Sequence, residues 1–431
     1  MKFTSQMKYG TDGIPRVVRA EETIQRVKPV MSKIGVTRIA DTTGLDTLGM
    51  PIFSAIRPTD AGPDGISVYN GKGATKAASL AGAMMEAIER YCAESWHGDR
   101  QKGARPDIQA ANPDVFVMDP STMILQQKAP YEVDRTALEW VEGWDLLNDR
   151  RALIPLALIL APYLGPGEDI WYCSSNGLAS GNNPEEAVVH GLAELIERDA
   201  YTIAAVRAQL VPRVRYFLDH IGSADIPEEN PVDRSHSPSI RLDTVPPPVR
   251  RLVRAAQRSK SELWLRDVTS DLGIPTFIAS MRLAESDGSE LVAGGFGCDP
   301  NSTIAAIRAI TEAAQGRNVQ IQGVREDASA ARAVAPSKER VLWCHDSDRW
   351  ISFSEVPSYE NQDILDDINL MLDRLRSSGV REAYAVDVSD PDIPASVTKV
   401  IVPEMEAWFL RDFAENQSRL GWRSQRYLPT K

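Results

Sequence analysis

The stretch of sequence that decides the fold runs Ser174-Ser-Asn-Gly-Leu-Ala-Ser-Gly-Asn-Asn-Pro-Glu-Glu-Ala-Val-Val-His-Gly-Leu-Ala-Glu-Leu-Ile-Glu-Arg-Asp-Ala200. Gly177 and Gly181, set among polar residues, predict a loop at its start. Asn183-Pro184 then has the form of a helix N-cap followed by proline at the first helical position. The stretch therefore predicts a polar loop that leads directly into a helix.

One face of that helix is acidic. At about 100° per residue, four side chains fall within an arc of roughly 80°: Glu186, His190, Glu194 and Glu197. Carboxylates at this spacing repel one another, so we expect a positive partner beside them. Two other interpretations stay open for this helix alone. Glu186 could close a capping box with Asn183, and Glu197 could belong to a solvated charged face with Arg198.

The same pattern occurs again in two other parts of the chain. Tyr69-Asn-Gly-Lys-Gly-Ala74 precedes a helical pattern in which Glu86-Ala-Ile-Glu-Arg90 matches Glu194-Leu-Ile-Glu-Arg198 in type and spacing. A third block, Val292-Ala-Gly-Gly-Phe-Gly-Cys-Asp-Pro300, precedes a helix that carries on one face Arg308, Glu312 and Gln315. The repetition favours a shared structural role over three unrelated charged surfaces.

Each repeat also has a strand signal before its glycine-containing block. The segments Leu48-Gly-Met-Pro-Ile-Phe53 and Leu272-Gly-Ile-Pro-Thr-Phe277 are nearly identical, and Ala152-Leu-Ile-Pro-Leu156 occupies the same place before the second block. Three copies are too few, with too much sequence between them, for a solenoid. We therefore predict an α+β fold in which three β-hairpin/Gly-loop/helix units surround one site.

Composition limits the class of protein. The 431 residues are 43% apolar and 25% charged, which is typical of a globular chain with a large core or two to three subdomains. A net charge of −12 argues against nonspecific binding to nucleic acid. The four cysteines form no Cys-x-x-Cys pair and show no zinc spacing with the histidines, which favours reduced thiols in the cytoplasm. No signal peptide or membrane-length apolar run is evident.

The domain organisation is expected to be simple. Residues 1–33 form an N-terminal lead-in, and residues 34–425 form one domain. Within it, prolines concentrate in residues 221–248, which we predict to be an exposed insertion. A helical pattern followed by a strand pattern predicts a C-terminal αβ cap over residues 340–425.

Clustered carboxylates without a Cys or His ligand set favour a hard cation. Mg²⁺ held by few carboxylates usually shares its site with substrate phosphates. Lys72, Arg198 and Arg308 lie near the three blocks and suit phosphate oxygens. The blocks are not a Walker loop, because Lys72 is followed by Gly73 instead of Ser or Thr, and they lack a dinucleotide fingerprint. A different nucleotide-binding fold is therefore expected.

The three blocks resemble the ATP-binding motifs of the YcaO family, over about residues 34–320. The matching segments are Asn70-Gly-Lys-Gly-Ala-Thr75 with Met85-Glu-Ala-Ile-Glu-Arg90, Ser175-Asn-Gly-Leu-Ala-Ser-Gly-Asn182 with Gly191-Leu-Ala-Glu-Leu-Ile-Glu-Arg-Asp199, and Ala293-Gly-Gly-Phe-Gly297 with Arg308-Ala-Ile-Thr-Glu-Ala-Ala-Gln-Gly-Arg317. The resemblance implies a YcaO-type fold with its three units around one nucleotide site. It also implies that the ligands are ATP and Mg²⁺.

The resemblance further implies ATP-dependent activation of a peptide backbone amide. The amide oxygen is phosphorylated and then displaced by a nucleophile, which gives azolines from a Cys, Ser or Thr side chain, amidines from an amine, and thioamides from sulfide. The family pattern matches four acids to Mg²⁺: Glu86, Glu89, Glu194 and Glu197. Nucleotide contacts in the pattern match Asn182, Glu186 and Arg198, and we add to the ATP-binding set Lys72, Arg308, Glu312 and Gln315. Gly82 departs from the pattern, since many relatives have a Ser there that contacts the nucleotide.

Within the family, residues 34–58 running into Tyr69-Asn-Gly-Lys-Gly73 are most similar to the stand-alone thioamide-forming branch. That branch includes methanogen proteins that convert a glycine of the methyl-coenzyme M reductase alpha subunit to thioglycine, often with a TfuA-type partner for sulfur. The sequence ends Tyr427-Leu-Pro-Thr-Lys431 and not in the Pro-x-Pro-x-Pro tail typical of azoline cyclodehydratases. We predict a cytoplasmic thioamidation enzyme, and family precedent favours a homodimer. The alternatives are an azoline-forming cyclodehydratase and a non-catalytic ATP-binding regulator.

Overall fold

A computed structural model describes residues 1–9, 16–58, 66–123, 132, 135–168, 170–171, 174–219, 231–284, 290–323, 343–406, 423 and 426–427. Its α-helices are α1 Ala20–Val27, α2 Lys76–Ser95, α3 Arg105–Ala111, α4 Pro184–Ala205, α5 Val211–Asp219, α6 Pro247–Arg258, α7 Ser302–Gln322 and α8 Ile364–Ser377. Within these ranges, the helices are too short or too polar to cross a lipid bilayer.

The strands occur along the whole described chain. They are β1 Arg38–Asp41, β2 Ile52–Ile56, β3 Val68–Lys72, β4 Gln101–Gly103, β5 Phe116–Val117, β6 Leu138–Asp145, β7 Arg150–Pro155, β8 Leu178–Gly181, β9 Ser239–Ile240, β10 Glu262–Asp267, β11 Thr276–Ala284, β12 Glu290–Cys298, β13 Trp350–Ile351, β14 Tyr384–Asp387 and β15 Ser396–Ile401. They form a three-stranded sheet β1-β2-β3, a five-stranded sheet β12-β11-β10-β9-β13, and a seven-stranded sheet β5-β7-β6-β14-β15-β8 with β4 beside β6. The predicted α+β class is confirmed.

The first and third repeats have the predicted hairpin. β1 pairs antiparallel with β2, and β10 pairs antiparallel with β11. In both units the glycine-containing block then adds a third antiparallel strand, β3 on β2 and β12 on β11. α2 and α7 follow directly and pack on these strands.

The second repeat is built differently. β6 and β7 form its hairpin, but β8 pairs with β15, from the C-terminal part of the chain. β14 joins β15 to β6, so both late strands lie inside the seven-stranded sheet. Within residues 343–406 of the expected C-terminal αβ cap, β14 and β15 lie inside the seven-stranded sheet, β13 pairs with β9 in the five-stranded sheet, and α8 packs on α4.

Most of each glycine-containing block is a strand and not the loop expected from its composition: Gly71 lies in β3, Gly181 in β8 and Gly297 in β12, whereas Gly177 lies in a turn before β8. A Cβ on Gly71 would lie 2.0 Å from the carbonyl oxygen of Ser79, and a Cβ on Gly297 would lie 2.1 Å from that of Ala305. Real Cβ atoms do not approach this closely, so only glycine lets each helix lie directly on its strand. The glycines that suggest a loop in the sequence thus serve close backbone packing.

The three units close into a ring around their helices. Each helix packs on the strand of its own unit and also on a strand of another unit. The contacts between units are α7 on β3, α2 on β8, and α4 on β12. Each junction has a side-chain contact, namely Gln315 Nε2 to the Asn70 carbonyl, Ser180 Oγ to the Met85 carbonyl at 3.2 Å, and the Tyr201 ring to the Phe296 ring at 4.8 Å between centroids. The cyclic packing brings the three helices to a common centre.

The proline-rich segment is not an exposed insertion in its described part, residues 231–248. β9 pairs with β10 there, and Ile240 and Val245 are buried. Pro247 occupies the first turn of α6, where the missing N–H of proline costs nothing. Residues 221–230 lie outside the described ranges.

We predict that Gly295→Ala destabilises the fold by about 1–3 kcal/mol or more, because the added Cβ would lie 2.1 Å from the Ala313 nitrogen and force strand and helix apart. The neighbouring Gly294 is the matched control, since the nearest atom to its Cβ is the Ala279 oxygen at 3.9 Å. Urea unfolding of both alanine variants checks this. Equal unfolding midpoints would contradict the proposed strand–helix contact.

Candidate nucleotide and metal site

The first acid pair lies on α2. Burial, followed by the charge of Glu86, raises the pKa of Glu89 to about 8, and the Glu194 carboxylate on α4 acts in the same direction. Ser180 Oγ on β8 donates a hydrogen bond to Glu89 Oε2 at 3.3 Å. The two helices therefore bring acids from the first and second repeats into one electrostatic cluster that favours a cation.

The second acid pair lies on α4 and faces the third repeat. Only 4% of Glu197 is exposed, which excludes the solvated charged face left open by the sequence. Burial and the Glu312 carboxylate raise the pKa of Glu197 to about 7, while Arg198, Arg308 and Lys72 oppose the rise. Glu197 is thus a buried acid set among basic side chains.

Three cations, Lys72, Arg198 and Arg308, form what we call the cationic group. Lys72 Nζ bonds Glu312 Oε2, and Glu312 Oε1 accepts from the Phe296 backbone N–H at 3.2 Å. Although burial opposes it, Lys72 and Arg198 lower the pKa of Glu312. Glu312 therefore holds Lys72 at the junction of the first and third repeats.

Arg198 pairs with Glu194 one turn earlier on α4, with 3.4 Å between Nη2 and Oε1. Burial alone would lower the pKa of Arg198, but the charges of Glu194 and Glu197 raise it. The charge of Arg308 acts on Glu197 from α7. The four predicted metal acids and the three predicted phosphate cations are accordingly neighbours, as the repeats suggested.

Asn182 and Glu186 meet at the N-terminus of α4. Glu186 Oε2 accepts from Asn182 backbone N and Nδ2 at 2.9 and 2.8 Å. Asn183 Oδ1 caps the Glu186 N–H at 2.9 Å, but the Glu186 side chain bonds Asn182 and not Asn183, so only half of a capping box forms. This carboxylate is oriented by its two bonds from Asn182.

The N-terminal segment contributes residues that sequence reasoning missed. Arg16 Nη1 lies 3.5 Å from Glu186 Oε2, and the Val17 N–H donates to Glu186 Oε1 at 2.7 Å. Thr23 Oγ1 donates to Asn182 Oδ1 at 2.9 Å. These residues lie outside the three repeats and carry no motif, so only the folded chain brings them to the site.

His190 also lies near basic side chains. Burial, then the charges of Arg308 and Arg16, lower its pKa well below the usual range, and its ring bonds the Ser180 backbone. The imidazole is therefore held neutral on the same face of α4 as Glu194. Gln315 Nε2 donates to the Asn70 carbonyl, which ties α7 to β3.

Gly82 sits on α2 over the glycine strand β3. A Cβ there would lie 3.5 Å from the Gly71 Cα, an ordinary van der Waals distance. A Cβ would therefore fit, so packing does not require glycine at this position.

The donor set suits Mg²⁺ bound together with a nucleotide. Within the described ranges, no three Asp, Glu, His or Cys side chains are arranged to enclose a metal ion by themselves. Mg²⁺ keeps several waters and usually takes one or two carboxylates plus substrate phosphates. Two acid pairs beside the cationic group offer that combination.

Comparison with known proteins agrees with this geometry. A family model described as YcaO cyclodehydratase, ATP- and Mg²⁺-binding, matches residues 70–406. The chain is 34% identical over 418 residues to an uncharacterized protein of Methanothermobacter thermautotrophicus, covering 95% of this chain and 98% of that protein. It is 30% identical over 419 residues to an uncharacterized protein in the tfuA 3′ region of Rhizobium leguminosarum bv. trifolii, covering 95% and 92%.

A solved structure supports the fold. YcaO from Methanopyrus kandleri bound with AMPPCP and Mg²⁺ has a TM-score of 0.69 at 22% identity, covering 97% of this chain and 98% of that chain. The YcaO-type fold is confirmed, and so is the prediction of ATP and Mg²⁺ as the ligands of the family.

We predict that Glu86→Gln and Glu194→Gln each abolish ATP turnover and weaken Mg²⁺-dependent binding of AMPPCP by about tenfold or more, because phosphate charge is then less well compensated. Glu142→Gln is the control, since its carboxylate is 56% exposed and pairs with Arg151 on the surface. Calorimetric titration with circular dichroism separates loss of binding from loss of fold. Near-normal turnover in either cleft variant would refute the metal assignment.

We predict that Lys72→Ala weakens AMPPCP binding by about 1.5–3 kcal/mol, the usual contribution of a charge-assisted hydrogen bond. Lys76→Ala serves as control, because the Lys76 side chain is 69% exposed and pairs with Asp41. An affinity unchanged from that of the unmodified protein would mean that Lys72 serves only as the ion-pair partner of Glu312.

Proposed function

The chain belongs to the YcaO family, and we propose that it uses ATP and Mg²⁺ to replace the oxygen of a peptide backbone amide with sulfur. YcaO proteins are ATP-dependent enzymes that act on peptides. The observation that carries the proposal is the junction of two acid pairs, of which Glu197 is buried and the other three acids are half-buried, with the cationic group in one cleft. Phosphoryl transfer depends mostly on positioning and electrostatic stabilisation, which such a cleft supplies.

In this proposal each part of the cleft has a separate task. Glu86, Glu89, Glu194 and Glu197 hold Mg²⁺, which neutralises charge on phosphate oxygens when bound. The cationic group binds the phosphate chain, and Glu312 orients Lys72 toward it. Asn182 and Glu186, braced by the N-terminal segment, contact the rest of the nucleotide.

The proposed reaction balances without a redox partner. The amide oxygen attacks the terminal phosphorus of ATP, and ADP leaves. Hydrosulfide then adds to the activated amide carbon, the carbon–oxygen bond breaks, and phosphate leaves with the proton from sulfur. One amide, one ATP and one hydrosulfide give one thioamide, one ADP and one hydrogen phosphate.

The sulfur is proposed to come from outside the chain. Cys298 is fully buried in β12, and burial raises the pKa of its thiol, so it is a poor nucleophile. Cys173 lies outside the described residues. A TfuA-type partner is the proposed sulfur source, supported by the relative in a tfuA 3′ region.

The proposed substrate is a glycine of the methyl-coenzyme M reductase alpha subunit, which becomes thioglycine. Similarity of residues 34–58 to the thioamide-forming branch supports this choice, as does the methanogen relative of nearly equal length. The second candidate is azoline formation in a ribosomal peptide, favoured by the description of the family model as a cyclodehydratase.

We predict that a glycine-centred peptide from that alpha subunit, supplied with ATP, Mg²⁺ and sulfide, gains the mass of an oxygen-to-sulfur exchange. Cys298→Ala and Cys173→Ala variants should retain this activity with free sulfide, because neither thiol carries the sulfur. Reactions without ATP or without sulfide are the controls, and intact-mass spectrometry is the readout. Loss of water from a Cys-containing peptide, with no sulfur gain on the glycine peptide, would favour azoline formation instead.

A further inference from the structure

The duplicated Glu-x-x-Glu-Arg signature places its two arginines in different surroundings. Arg198 lies in the cationic group and pairs with Glu194. Arg90, its counterpart on α2, instead donates from Nη2 to Ser175 Oγ at 3.0 Å, in the segment that precedes β8. The acid pairs therefore have a second basic neighbour away from the cationic group.

A buried donor and a buried acceptor lie at this second position, which we call the Arg90 pocket: Arg90, Ser175 and Asn176. Arg90 Nε and Asn176 Oδ1 are both shielded from solvent, and neither has a hydrogen-bond partner in the described part of the chain. Buried polar atoms are rarely left unpaired, since each costs about 1–3 kcal/mol. The pair is therefore suited to a ligand that supplies one acceptor and one donor.

The backbone around the Arg90 pocket is fixed by buried contacts. Lys399, only 3% exposed, donates from Nζ to the carbonyls of Ser174 and Asn176 at 2.6 and 2.8 Å. The Val400 N–H donates to the Gly177 carbonyl at 2.7 Å, where Gly177 has a φ of +79°. Contacts from β15 thus fix the backbone of Asn176, while its side-chain oxygen has no hydrogen-bond partner among the described residues.

The acids link the Arg90 pocket to the cationic group. The charges of Arg90 and Glu194 both act on Glu89, and Glu194 in turn pairs with Arg198 of the cationic group at 3.4 Å. In-line phosphoryl transfer needs the attacking oxygen on the side opposite the leaving group. If the nucleotide phosphates occupy the cationic group, the attacking amide approaches from the Arg90 side.

We propose that the Arg90 pocket binds the backbone of one extended substrate residue beside the amide that reacts. Arg90 Nε–H donates to the carbonyl of that residue, and Asn176 Oδ1 accepts from its N–H, since both groups of a residue in an extended chain point to the same side. Every residue except proline carries this donor and acceptor whatever its side chain, so the pocket recognises backbone and not sequence. The inference rests on the proposed function in requiring a peptide substrate, but it does not depend on which product forms.

The test compares Asn176→Ala and Arg90→Lys with the unmodified protein, on the glycine-centred peptide and on a Cys-containing peptide. Each variant should raise the peptide KM about tenfold, as expected for loss of one buried hydrogen bond, with the affinity for Mg-AMPPCP unchanged within about twofold. Asn112→Ala and Arg151→Lys, both remote from the cleft, are the matched controls. Thermal unfolding confirms that the variants fold.

The outcomes distinguish a failure of the inference about the pocket from a failure of the proposed reaction. Water loss from the Cys peptide, with no sulfur gain on the glycine peptide, would favour azoline formation over thioamidation, and the KM of the variants for the Cys peptide would still decide the role of the pocket. An unchanged peptide KM in both variants, or an equal loss of AMPPCP affinity, overturns the inference. If neither peptide is modified, binding of both labelled peptides is measured by fluorescence anisotropy with Mg-AMPPCP. Absence of peptide binding, or equal binding by the variants, then overturns it.

Discussion

The close approach of three helices to three glycine-containing strands is the constraint on which the rest of the structure depends. A Cβ on Gly71, Gly181 or Gly297 would lie 2.0 to 2.5 Å from an atom of the following helix. Each helix can lie directly on its strand only because that Cβ is absent. Since each helix also packs on the strand of another unit, the three contacts together fix where α2, α4 and α7 meet.

This packing brings carboxylates of the cleft close to one another, and their proximity explains the electrostatics of the cleft. The raised pKa values of Glu89 and Glu197 arise first from burial and next from a neighbouring carboxylate. The cationic group offsets part of this repulsion at one side. A bound Mg²⁺ would offset the remaining repulsion among the carboxylates, and nucleotide phosphates would face the cationic group. The site is therefore suited to a ligand that combines a cation with anionic phosphates.

The repeats made the acid cluster predictable, because identical spacing on similar helices indicates a shared environment. The strand character of the glycine blocks was not predictable, since glycine signals a turn locally while its role here is close packing. The pairing of β8 with β15 joins residues more than two hundred positions apart and leaves no local pattern. Arg16 and Thr23 reach the site from a segment without a motif, so their contacts with Glu186 and Asn182 depend on tertiary structure alone.

The central claim is that acids from two repeats hold metal beside a nucleotide bound by the cationic group. A crystal structure of the chain with AMPPCP and Mn²⁺, with anomalous scattering used to locate the metal, tests it most directly. The account predicts anomalous peaks at the carboxylates of Glu86, Glu89, Glu194 and Glu197, with the phosphates against Lys72, Arg198 and Arg308. Peaks elsewhere, or phosphates bound away from these cations, would contradict it.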